Sequence, residues 1–136
     1  MQKFVYHQKS HCKYMIKLHF VFCTKYRKRI LIGAFGEYIK ELLTLKMYER
    51  GYQIDILEID KDHIHILVDM DTSQSALGFV RLAKQISTFY AWRSGWKLIL
   101  SKHYWSERTL WSDGYFVAST GQASTDTIRK YIEEQG

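Results

Sequence analysis

Between residues 14 and 23 apolar and polar positions alternate, with Tyr14, Ile16, Leu18, Phe20 and Phe22 on one side and Lys17 and His19 on the other. A period of two is that of a half-buried strand. From about residue 34 to 50 the period changes: Phe35, Tyr38, Ile39, Leu42, Leu43 and Met47 recur at helical steps, and Gly51 follows as a stop. Residues 52 to 59 and 63 to 70 read as two more strands, and the polar Asp60-Lys61-Asp62 between them predicts a hairpin. A second helix is expected from about 74 to 93, carried by Leu77, Val80, Ala83 or Lys84, Ile86 or Ser87, and Tyr90. Residues 95 to 113 show no clear period. A short strand over 115 to 119 and a last helix, capped by Ser124 and running through Gln135 to Gly136, complete the order β-α-β-β-α-β-α.

That order predicts an α+β fold, a ferredoxin-like antiparallel sheet with two helices on one face and an extra C-terminal helix free to dock elsewhere. In its usual strand order the first and third strands are central neighbours. Ile64, Ile66 and Val68 then face the helices, while His63, His65 and Asp69 share the open face with Lys17 and His19. The chain has 136 residues, no proline and no internal repeat, so residues 1–136 are expected to form a single domain; 46% hydrophobic content can fill one core.

Charge changes the picture more than size does. The net charge is +6, and residues 1 to 30 hold eight Lys or Arg and no acid, ending in Lys25-Tyr26-Arg27-Lys28-Arg29. Residues 72 to 112 add six basic residues against Glu107, with Trp92, Trp96, Tyr104 and Trp105 interleaved. Clustered cations with aromatic rings fit a nucleic acid, whose phosphates they neutralise and whose bases they stack. Apolar runs are too short for a membrane span and no signal-peptide pattern opens the chain, so a soluble, cytoplasmic protein is expected. Cys12 and Cys23 form no CxxC pair; reduced, structural thiols are expected rather than a zinc site.

In Asp62-His63-Ile64-His65-Ile66-Leu67 the strand period points both imidazoles the same way. Two such rings can grip one cation or simply be partly exposed strand histidines. Near the end of the chain Ile128, Tyr131, Ile132 and Gln135 share one helical face. An amphipathic docking helix explains the isoleucines. Gln135 is odd on such a stripe, and its carbonyl oxygen, one turn from the Tyr131 hydroxyl, is a candidate third ligand.

These segments together carry a resemblance. The histidine motif, the strand running into Cys23-Thr24-Lys25-Tyr26-Arg27-Lys28-Arg29, and the ending Gly114-Tyr115-Phe116-Val117-Ala118-Ser119 to Tyr131-Ile132-Glu133-Glu134-Gln135 resemble the single-tyrosine HUH transposases of the insertion sequence 200/605 family. The resemblance runs from about residue 13 to the C-terminus. It implies a ferredoxin-like fold, His63 and His65 as metal ligands with Gln135 as the helix-borne ligand, and Tyr131 as the nucleophile. The implied cofactor is Mg2+ or Mn2+. The implied chemistry cuts and rejoins single-stranded DNA bearing hairpins through a 5′-phosphotyrosine. The implied assembly is a homodimer in which the tyrosine helix of one subunit can complete the histidine site of the other. Lys25, Arg27, Lys28 and Arg29 become candidate phosphate contacts, and His19 a candidate DNA or second-layer contact. Two departures are visible: Thr24 stands where the family often has proline, and many members continue well past the position of Gly136.

Rival readings remain. A non-catalytic ferredoxin-like nucleic-acid-binding module needs no role for Tyr131. A metal phosphoesterase or histidine-triad hydrolase is another, but the triad would place histidine where Leu67 stands, and a two-tyrosine initiator would need a second tyrosine where Ile128 or Gln135 stands. A domesticated transposase would share the same chemistry. The absence of a G-x-x-x-x-G-K-[ST] loop fits strand transfer without ATP.

Overall fold

The computed structural model of the chain describes residues 6–119 and 125–135. In chain order it comprises β1 (His7–Lys9), β2 (Cys12–Tyr14), β3 (Ile16–Cys23), a 3-10 turn (Lys25–Arg27), α1 (Gly33–Glu49), β4 (Gln53–Asp60), β5 (His63–Met70), α2 (Ala76–Arg93), α3 (Lys97–Tyr104), β6 (Phe116–Ser119) and α4 (Thr125–Glu134). The expected Ser124 cap and the end at Gly136 lie outside the described residues.

Strands β4, β5, β3 and β6 form, in that order, an antiparallel sheet. This is the ferredoxin-like arrangement expected, with β3 and β5 at its centre. Register keeps the two faces apart: Phe20 lies opposite Ile66 and Phe22 opposite Ile64, while Val21 lies opposite His65 and Cys23 opposite His63. The Phe20 and Phe22 row is fully buried and joins Ile39, Leu43 and Met47 of α1 with Phe79, Val80 and Ala83 of α2 in one core. Each large apolar side chain so buried contributes roughly 1.5–3 kcal/mol.

Local chemistry sets the helix ends. At the close of α1, Gly51 takes φ +86°, and the N–H groups of Gly51 and Tyr52 donate to the carbonyls of Tyr48 and Met47. A left-handed residue that ends a helix this way favours glycine. At the start of α2 the Ser75 hydroxyl accepts from the Gly78 N–H at 3.0 Å, so the helix begins at Ala76 rather than at 74.

The structure also corrects the sequence reading elsewhere. Residues 14 and 15 are not part of the first long strand, which starts at Ile16; Tyr14 ends a small hairpin, β1–β2, that no period could reveal in three-residue strands. The buried face of α2 runs through Phe79, Val80, Ala83, Ile86 and Ser87, whereas Leu77 and Tyr90 are exposed. The illegible segment contains α3, whose Leu100 and Tyr104 are buried while Leu98 and Ile99 face outward and blur the pattern. Both cysteines are free, but only Cys23 is buried; Cys12 is exposed. Among the described residues no helix is long and apolar enough to cross a membrane.

Candidate active site

The strand period does for β5 what the spacing predicted. Ile64 and Ile66 enter the core, and His63 and His65 emerge, half-buried, on the opposite face. Each is held by a neighbour. Nδ1 of His63 lies 3.0 Å from Oδ1 of Asp62, whose Oδ2 accepts from Nε of Arg27 at 3.2 Å. Burial alone would raise the Asp62 carboxyl, but the hydrogen bonds from His63 and Arg27 outweigh it and hold the group below its usual value. Nε2 of His65 meets Nδ1 of His19 across the sheet at 2.8 Å. Burial lowers the pKa of both rings, and in His65 the neighbouring His19 and His63 add to the effect.

The last helix covers this face. Ile128, Tyr131 and Ile132 of α4 are half-buried, as is Gln135 one residue past its end, the stripe expected, and the other residues of 126–135 are exposed. Tyr131 packs on Phe116 of β6 with ring centres 5.8 Å apart. A Cβ on Gly114 would stand 3.6 Å from both the Tyr131 hydroxyl and Oε1 of Gln135, so the two polar tips converge over a residue that offers no side chain. The Tyr131 hydroxyl is buried and has no hydrogen-bond partner among the described residues. Burial, reinforced by the nearby Cys23, pushes its pKa up to about 12.

Between the β4–β5 turn and α4 lies a cavity of about 450 Å³, lined by His63, Asp62, Arg27 and Arg29 on one side and Ile128 and Ile132 on the other. His63 and the two isoleucines flanking Tyr131 therefore meet at one cleft. Among the described residues no group of three His, Cys, Asp or Glu converges as a metal cluster.

The basic cluster is built as a strained turn. Tyr26 and Arg27 both take positive φ, +60° and +50°, a conformation that costs non-glycine residues about 1–2 kcal/mol. Lys25 lies over the Tyr26 ring, Arg27 is engaged with Asp62, Arg29 lines the cleft, and Lys28 gives its carbonyl to the Thr24 hydroxyl. Thr24, the departure from proline, has φ −63°, which a proline would also adopt, and its N–H donates to the Asp62 carbonyl at 2.9 Å. Two residues went unassigned in the sequence. Asp62 was visible only as the neighbour of His63. Lys84 carried no signal: it reaches from α2 to the carbonyls of Ser112, Asp113 and Gly114 at 2.7, 3.3 and 2.9 Å, under the seat of Tyr131.

Comparison with known proteins agrees on one family. Residues 12–135 match the family described as Transposase IS200 like. The chain is 27% identical over 125 residues to the ISDra2 transposase TnpA of Deinococcus radiodurans, covering 90% of this chain and 85% of that protein. It is 29% identical over 140 residues to the transposase for insertion sequence element IS200 of Salmonella typhimurium, covering 98% and 83%. In fold it superposes on a crystal structure of a Deinococcus radiodurans R1 transposase with a TM-score of 0.86 at 23% identity, over 95% of this chain and 97% of that one. A REP-associated tyrosine transposase bound to a REP hairpin gives a TM-score of 0.53 at 12% identity, over 93% and 69%.

Proposed function

This chain belongs to the IS200-like transposase family, and from that premise we propose that it cuts and rejoins single-stranded DNA through a 5′-phosphotyrosine at Tyr131. The observation that carries the reading is the Tyr131 hydroxyl: buried, without a hydrogen-bond partner among the described residues, gathered with Oε1 of Gln135 over Gly114, on the sheet face that bears His63. An unsatisfied buried hydroxyl costs about 1–3 kcal/mol. A surface built only for docking gains nothing from that; a nucleophile awaiting its phosphate does.

The residues present fit a divalent cation. Two imidazoles and an amide oxygen form a donor set suited to Mn2+ or Mg2+, and His63 has its Nδ1 on Asp62, leaving Nε2 free. His63, His65 and Gln135 would hold the ion. When bound, it supplies positive charge to the scissile phosphate and favours the tyrosinate. The chain's own groups do the rest. The Tyr131 oxygen attacks phosphorus in line, the bond to the 3′ oxygen breaks, and the phenol proton ends on the released 3′-hydroxyl. A phosphodiester is exchanged for a phosphotyrosine diester, so a 3′-hydroxyl can later reverse the step and join a new strand without ATP. Arg29 and Arg27 at the cleft neutralise flanking phosphates, with Lys25 and Lys28 on the same turn. A hairpin-bearing partner is supported by the relative that was bound to a REP hairpin. The homodimer that the family resemblance implies is part of the same proposal.

Purified protein with Mn2+ should cut a hairpin-flanked single strand and remain attached to the 5′ phosphate, visible as a shifted band on a denaturing gel. Tyr131→Phe should abolish the adduct and retain DNA binding. His63→Ala should slow cleavage by at least about a hundredfold, the scale of losing a pre-organised electrostatic contact. An adduct that survives Tyr131→Phe sinks the nucleophile assignment, and binding without any cleavage favours the non-catalytic module.

A further inference from the structure

The two imidazoles on β5 are held in different ways. His63 turns Nδ1 to a carboxylate, Asp62. His65 turns Nε2 to another imidazole, Nδ1 of His19 on β3, at 2.8 Å. The rings lie 27° from parallel with centres 5.0 Å apart, so the two meet edge to edge and nearly in one plane along that contact. His19 stands opposite Leu67 on β5 and opposite the small Ala118 on β6, and it reaches His65 diagonally across the register. That placement is set by two rigid central strands.

A neutral imidazole carries one proton, so in a ring-to-ring contact one nitrogen donates and the other accepts. A ring that binds a cation through one nitrogen must keep its proton on the other, and the group that accepts this proton fixes tautomer and orientation. We propose that His19 is the positioning residue of His65: its Nδ1 accepts the proton on His65 Nε2 and leaves His65 Nδ1 to face a divalent cation. The inference rests on the reading of His63 and His65 as cation ligands. It removes His19 from the candidate DNA contacts and gives the ligands unlike supports, a carboxylate behind His63 and a neutral ring behind His65.

Mn2+ binding to the DNA-free protein, followed by calorimetry or by the paramagnetic signal of the free ion, tests both layers. His65→Ala should lose binding. His19→Ala should weaken it about 10–100-fold, the usual loss when a ligand's outer partner is removed. His19→Asn, whose amide oxygen can accept the same proton, should recover most of that loss, while the metal-free melting temperatures of the two His19 variants stay alike. Wild-type affinity in His19→Ala with loss in His65→Ala overturns the positioning role alone. Wild-type affinity in both overturns the ligand reading with it. A long-range proton–nitrogen spectrum of the metal-free wild type needs no variant: a proton on Nε2 of His65 is expected, and a proton on its Nδ1 refutes the assignment.

Discussion

Lys84 directs its ammonium group to three main-chain carbonyls on the approach to β6, and burial lowers its pKa. Its position between Ala83 and Gln85 left the helical pattern undecided about whether residue 83 or 84 faced inward. Both do, in different senses: Ala83 fills the core, and the Lys84 ammonium group sits 5.5 Å from the centre of the Phe22 ring while it bonds the loop. Lys84→Met keeps the stem and removes the donors, so it should destabilise the protein by about 1–3 kcal/mol, read from the midpoint of urea unfolding. An unchanged midpoint would mean that water replaces the ammonium at no cost. The contrast with the site is instructive. His63, His65, Tyr131 and Gln135 stand out in the sequence because each falls at a fixed period, whereas the contacts of Lys84 with the loop before β6, of Arg27 with Asp62 and of His19 with His65 cross between elements and depend on register.

Among elements, length governs legibility. The long strands and helices repeat their pattern often enough for the period to be read. The β1–β2 hairpin has too few residues per strand, and α3 buries two positions and exposes apolar ones beside them. The hairpin is tied to the end of the sheet by polar contacts: His7 to Asp69 at 2.8 Å, and Lys9 to Asp71 and Thr72. The hydrogen bond from Lys9 leads the effects that bring the Asp71 carboxyl down to about 2. A carboxyl depressed in the folded state stabilises above its unfolded value of 3.8 and loses that contribution as the pH falls through its folded value. The clasp should therefore persist at neutral pH and release only near pH 2. Carboxyl carbon shifts followed by NMR would check this, and an Asp71 midpoint close to 3.8 would show that Lys9 does not hold it. Exposure at the pair makes the contact sensitive to salt.

At the scale of the molecule, one sheet serves two purposes because its pleat has two faces. One face is closed by α1 and α2 around the core. The other carries the polar row of His63, His65 and His19 and is partly roofed by α4. Fold and family were legible from motif order and spacing; the placement of the roof was not, since an amphipathic stripe says only that a helix docks, not where. The roof lies on the side of Cys23, which is fully buried, and burial aided by Asp62 pushes its thiol up to about 11. Cys12, on the hairpin, is exposed. A thiol reagent at neutral pH should therefore titrate one cysteine in the native protein and two after denaturation. Two fast-reacting thiols in the native state would mean that the covering of Cys23 opens readily. The asymmetry makes the wild-type chain its own labelling scaffold: a dye or spin label placed on Cys12 needs no cysteine-free background, and it would report on the hairpin without disturbing the histidine-bearing face.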